Sequence, residues 1–142
     1  MKVIVSGLSD AMKVLISAAN NHPAKLKQQV RESSRTILNN AKRKVAKGIG
    51  ADLAKSGAVD YPTDTTGIVS FSNDYAPFVE FGTGQAASKY VPTLPDEFQK
   101  LAMSFYVNGK GRSKSQPYLV PAFMEEKPNF ITKCEKIVKN EI

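Results

Sequence analysis

The 142-residue chain has no tryptophan, one cysteine and one histidine. A lone Cys134 excludes an internal disulfide and fits a reducing compartment of synthesis. With His22 and Cys134 as the whole His/Cys inventory, a zinc site of the usual ligand types cannot be assembled within one chain. His22 stands beside a proline at a helix break, and Cys134 lies on an apolar helix line without a second histidine to activate it, so neither reads as catalytic. No apolar run reaches the roughly 18 residues a membrane span needs. Met1 to Gly7 turns polar too soon for a signal peptide. No P-loop lysine or third dinucleotide glycine accompanies Gly82-Thr83-Gly84. The acid pairs Asp96-Glu97 and Glu125-Glu126 are adjacent on helices and diverge, unlike the facing carboxylates of acid–base catalysis. These absences leave a non-enzymatic reading, with no cofactor and no metal.

Cations are what the chain has in excess. The formal charge is +7, and residues 1–60 carry all of it, with 11 basic and 4 acidic side chains against 9 and 9 in the remainder. Most of the excess falls on a helix expected from about residue 24 to Lys47. Leu26, Val30, Ile37, Ala41 and Val45 form its apolar line, and Lys27, Arg31, Arg35, Lys42, Arg43 and Lys44 populate its other faces. Such a helix could meet DNA or an acidic partner, or could simply be a solvated face.

Around it the pattern predicts one α+β domain spanning residues 1–142. Lys2 to Val5 is a candidate strand. Ser9 is a candidate N-cap for a first helix burying Leu8, Met12, Leu15, Ile16 and Ala19, which ends at Asn20-Asn21-His22-Pro23. Gly48 and Gly50 close the long helix. Residues 58–61 and 67–71 read as strands joined by the polar turn 62–66. Residues 85–116 are expected to be an irregular excursion with a short helix at about 95–106 and a mobile tip at 107–115. The C-terminal helix is expected beyond Pro121, burying Phe123, Met124, Ile131, Cys134 and Val138 and disturbed at Pro128.

One segment stands apart: Tyr75-Ala76-Pro77-Phe78-Val79-Glu80-Phe81-Gly82-Thr83-Gly84. Its large apolar side chains need cover, each worth roughly 1.5–3 kcal/mol when buried. Glu80 is its one ionisable carboxylate, and its glycines suit positive φ at a turn. This is the composition of a packed junction.

That segment, followed by Gln116-Pro117-Tyr118-Leu119-Val120-Pro121-Ala122-Phe123, resembles the signature pair of the head–tail joining proteins of long-tailed bacteriophages, also described as neck, tail-completion or minor tail components. The opening Val3-Ile4-Val5-Ser6-Gly7-Leu8-Ser9 and the long basic helix agree with that family's order. Many members carry Pro-Val-Asp-Thr-Gly-x-Leu after the long helix. Here Gly50-Ala51-Asp52-Leu53-Ala54-Lys55-Ser56-Gly57 departs from it, and contacts of that loop are not carried over. The resemblance implies a fold similar to tail-terminator subunits, an antiparallel sheet packed against the long helix and a C-terminal helix, and a structural role in the virion neck. Copies of the chain would form a ring, assembled in the host bacterial cytoplasm, that joins the head connector to the tail terminator or tail tube. DNA would pass transiently through its channel, and no membrane would be involved. Tyr75, Phe78, Val79, Glu80, Phe81, Gly82, Thr83 and Gly84, with Gln116, Pro117, Tyr118, Leu119 and Pro121, would form the subunit junction, Glu80 accepting backbone amides or pairing with a base. The competing expectation is a small basic module that binds DNA through the long helix.

Overall fold

A computed structural model describes residues 2–5, 12–46, 51–103 and 111–140, which combine helices with one antiparallel sheet. Strands β1 (Lys2–Val5), β2 (Gly57–Thr63) and β3 (Thr66–Phe71) are ordered β1-β3-β2. Val69 pairs with Val3 on one side and Val59 on the other. The β2–β3 turn is tighter than the expected 62–66: Thr63 already pairs with Thr66, leaving Asp64 and Thr65 at the tip. Pro62 sits where the register shifts between Asp60 and Thr63, the place in a ladder that tolerates a residue without an N–H.

Helix α1 (Met12–Asn21) meets α2 (Pro23–Ala46) at the break read from the sequence. Ile16, expected inside, is 53% exposed, and Ala18 takes the buried place. Leu8, Ser9, Gly48 and Gly50 lie outside the described residues. All five apolar positions named on α2 are buried. The gap between Val30 and Ile37 is filled by Ser33 and Ser34, both buried, and Ser34 Oγ donates to the Val30 carbonyl at 2.6 Å. Small residues are needed here because the sheet comes very close. A Cβ placed on Gly67 of β3 would stand 2.0 Å from Ser34 Oγ. Gly67→Ala is therefore expected to cost about 1–3 kcal/mol, through overpacking and displacement of the Ser34 hydroxyl. Urea unfolding checks it, and an unchanged midpoint would contradict this contact.

The departing segment after α2 forms a short helix, α3 (Ala51–Lys55), whose Leu53 is fully buried. Helices α4 (Ala76–Phe81), α5 (Gly84–Tyr90) and α6 (Asp96–Met103), with a 3-10 turn at Val91–Thr93, follow the sheet. The expectation of an irregular 85–116 is thus corrected: residues 84–103 are largely helical, and the helix expected at about 95–106 is described to Met103. Residues 111–117 form neither helix nor strand, and the described part of the expected mobile tip is tied down at Ser113 and Ser115.

The last helix, α7 (Leu119–Val138), begins before Pro121 and passes through Pro128 unbroken. Pro128 and Met124, the residue whose carbonyl loses its i+4 donor, are both exposed. The buried stripe differs from the expected one. Met124 is 39% exposed, while Glu126, Phe130 and Ile137 are buried beside Phe123 and Cys134. Helices α2 and α7 run antiparallel across two core clusters. The C-terminal half of α2 meets the start of α7 along with Val69, Phe71, Phe81 and Phe98. The N-terminal half of α2 meets Phe130, Cys134 and Ile137 along with α1. No helix among the described residues is long and apolar enough to cross a membrane.

Candidate functional site: the Glu80 junction and its basic flank

The Tyr75–Gly84 segment is built as one and a half turns of helix between two backbone devices. Asn73 starts it: its carbonyl accepts from Ala76 N at 3.0 Å and its side-chain Oδ1 from Tyr75 N at 3.1 Å. Pro77 occupies the first turn, where a missing N–H costs nothing. Gly82 ends it at φ 75°, ψ −173°, a conformation essentially confined to glycine. Gly84 is also at positive φ, so both glycines adopt the geometry expected of the turn. A side chain at Gly82 would also run into Ser115, whose Oγ lies 2.6 Å from the ideal Cβ position.

Glu80 points from α4 onto the beginning of α7. Its Oε1 accepts from the amides of Tyr118 at 3.2 Å, Leu119 at 2.7 Å and Val120 at 3.3 Å. A helix start leaves its first amides without intrahelical partners, and here a carboxylate 38 residues upstream takes three of them. Of the two roles expected for Glu80, backbone acceptance is the one observed. The side chain is fully buried, and Oε2 has no hydrogen-bond partner among the described residues. Burial disfavours the charged form more than the three amides favour it, and the carboxyl is raised to about 7. The neighbouring phenols of Tyr90 and Tyr118 are pushed above their ordinary range, first by burial and then by the charge of Glu80.

Further bonds close the junction. Tyr118 Oη donates to the Ala76 carbonyl at 3.0 Å, and Gln116 N to the Val79 carbonyl at 2.8 Å. The Tyr118 ring meets Phe71 of β3 edge-on, with centroids 5.0 Å apart. Ser115 Oγ donates to the Phe81 carbonyl at 2.8 Å. Thr83 and Ser113 clasp each other through Thr83 N to the Ser113 carbonyl, 3.0 Å, and Ser113 N to Thr83 Oγ1, 2.9 Å. The two sequence segments singled out above are therefore one physical unit.

Their side chains are mostly spent inside the chain. Glu80, Phe81, Tyr118 and Leu119 are buried, as are Gly82 and Gly84. Phe78, Val79, Thr83, Pro117 and Pro121 are half-covered. Tyr75 is corrected: expected under cover, it is 41% exposed. Tyr75 and Gln116 are the residues of this set most open to a neighbour. Ser113 and Ser115 were not singled out, because a Ser in a polar run carries no sequence signal distinguishing a clasp from a solvated turn.

The six cations named on α2 are less available than their number suggests. Lys27 pairs with Asp64 at 3.6 Å, and Lys44 with Glu125 of α7 at 2.9 Å. The Arg31 guanidinium lies 4.2 Å from the centroid of the Tyr61 ring, and Arg43 donates to Asn40 Oδ1. Arg35 is exposed and Lys42 half-buried.

A second basic surface lies against the junction itself. Thr83, Gln85 and Ala86 on one side and Gly111, Arg112 and Lys114 on the other border a cleft of about 610 Å³, with Lys89 completing its wall. Compared with family models, with curated proteins and with solved structures, the chain finds no match.

Proposed function

We propose that this chain is a structural subunit of the neck of a long-tailed bacteriophage. It would oligomerise as a ring that joins the head connector to the tail terminator or tail tube, around the channel that DNA traverses. The observation that carries the reading is the Glu80 bond set. The two segments that resemble the family's signature are distant in sequence, and they meet through one buried carboxylate and three helix-start amides. Residues chosen for catalysis would leave a reactive group open to substrate. Here the acid is sealed and directed at backbone, which serves to fix two elements in one orientation.

A ring subunit must present the same rigid shape to each neighbour, because small angular errors accumulate on closing a cyclic assembly. The α4–α7 lock supplies that rigidity, and exposed Tyr75 and Gln116 sit at its edge. The reading in which α2 is the main DNA contact has less support, since Lys27, Arg31, Arg43 and Lys44 all engage partners within the chain. The test is peptide mass spectrometry of gradient-purified virions of the phage that encodes the chain, with immunogold microscopy of the same particles. Stoichiometric presence and label at the head–tail junction are expected. Absence from the virion would end the proposal.

A further inference from the structure

We infer that the cleft between α5 and the 111–114 segment is a sequence-independent contact for the phosphodiester backbone of duplex DNA, with Lys89, Arg112 and Lys114 as its cations.

The cleft is assembled, not accidental. Gln85 and Lys89 are four residues apart on α5 and share a face. Arg112 and Lys114 come from the segment that follows Gly111, and both line the same cleft as Lys89. The two-bond clasp between Thr83 and Ser113 holds that segment beside α5, and the Ser115 bond to the Phe81 carbonyl continues the attachment. Three cations thus converge on one concavity, and all three are exposed. Among the described residues no carboxylate lines the cleft or pairs with any of them. This separates them from the α2 cations, most of which already have intramolecular partners.

The lining decides which polyanion fits. An acidic peptide partner would be held mainly by apolar or aromatic anchors at a buried centre. Ala86 is the sole hydrophobic side chain of this cleft among the described residues. Single-stranded nucleic acid is held by base stacking on aromatic side chains, and among the described residues no aromatic lines the cleft. A small phosphate ligand would call for desolvated donors in a closed pocket, whereas these cations reach out from a rim. What remains is long, mobile, positively charged side chains with Thr83 and Gln85 between them, the chemistry of phosphate neutralisation by counterion release. Such a contact is also weak enough for DNA to slide along it.

The inference extends the ring reading without depending on it, because it concerns a surface of the isolated chain. The experiment is an amide-resolved NMR titration of the full chain with a mixed-sequence duplex in about 20 mM salt, repeated at rising salt. Shift changes are expected at Gln85, Ala86, Lys89, Arg112 and Lys114. The salt dependence should have a slope near −2.7, corresponding to three phosphates at about −0.9 each. The triple variant Lys89→Gln/Arg112→Gln/Lys114→Gln should fold normally, since all three are exposed, and should bind at least about 10-fold more weakly. Arg35→Gln/Lys42→Gln should bind as wild type does. Shifts centred on α2, an unaffected triple variant, or equal or tighter binding of oligo-dT, poly-Glu or inorganic phosphate would each overturn the inference. Loss of duplex binding in a protein found in virions would remove this site alone; duplex binding by a protein absent from virions would remove the ring alone.

Discussion

Glu80→Ala should destabilise the protein by about 3–5 kcal/mol, because three buried helix-start amides lose their one acceptor. The truncation leaves the amides of Tyr118, Leu119 and Val120 without their acceptor in a region where Tyr118, Leu119 and Val120 are all 2% exposed or less. Each unsatisfied buried group costs about 1–3 kcal/mol, and the cavity left by the side chain adds to this unless water enters it. The loss should also be local before it is global. Hydrogen exchange at those three amides should accelerate more than exchange at α2. Glu80→Gln keeps an acceptor oxygen of the same shape and should be far more stable than Glu80→Ala at every pH. Glu125→Ala, which removes an exposed pair with Lys44, should cost no more than about 1 kcal/mol. If Glu80→Ala unfolds at the wild-type urea midpoint, the junction does not hold α7, and the structural argument for a rigid ring subunit fails with it.

The extent to which this junction was legible in the sequence follows from what kind of pattern each part carries. Helix α2 was legible because Leu26, Val30, Ile37, Ala41 and Val45 repeat at helical spacing over many turns, and each is buried. Ser33 and Ser34 were not read as interior, since hydroxyls in a sequence give no notice that a sheet will approach within contact distance. The stripe of α7 is legible only in part, at Phe123 and Cys134, for a related reason. Glu126 lies directly in line with Phe123, Phe130 and Ile137, and an acid in that row shifted the reading to Met124, Ile131 and Val138. In the structure Glu126 is only 6% exposed and accepts from Asn129 Nδ2 at 2.6 and 3.1 Å, which makes its burial tolerable. Helix α5, Gly-Gln-Ala-Ala-Ser-Lys-Tyr, has no apolar period to detect; it forms because Thr83 and Gly84 redirect the chain after α4. The acceptor role of Glu80 was one of two expectations, and choosing between them required knowing that Tyr118 begins a helix 38 residues later. The cleft is the extreme case. Lys89 and Lys114 are brought together by the Thr83–Ser113 clasp, and no local sequence window contains both.

Glu80 should also invert the usual dependence of stability on acid. Most folded-state carboxylates sit below their unfolded values and lose stabilising interactions on protonation. Glu80 is raised from 4.5 to about 7, because desolvation outweighs its three amide bonds. Between those values the folded protein binds more proton at this site than the unfolded chain does. Its contribution is therefore fully present below pH 4.5 and is lost as pH rises through about 7. Each pH unit in that window is worth about 1.4 kcal/mol, so the difference between pH 4.5 and 8 approaches about 3 kcal/mol. Protonation at Oε2, which has no partner among the described residues, would leave Oε1 to keep the three amides. Other carboxylates contribute their own slopes, so the quantity to measure is the unfolding free energy of wild type minus that of Glu80→Gln, from urea titrations at pH 4.5 to 8. That difference should fall with rising pH, and above pH 7 the Gln variant should be the more stable protein. The opposite trend, wild type gaining on Glu80→Gln as pH rises, would mean that the α7 amides and helix dipole overcome burial and hold Glu80 ionised. The junction would then be a fixed charge at a helix start, and Glu80→Gln would lose stability at neutral pH instead of gaining it.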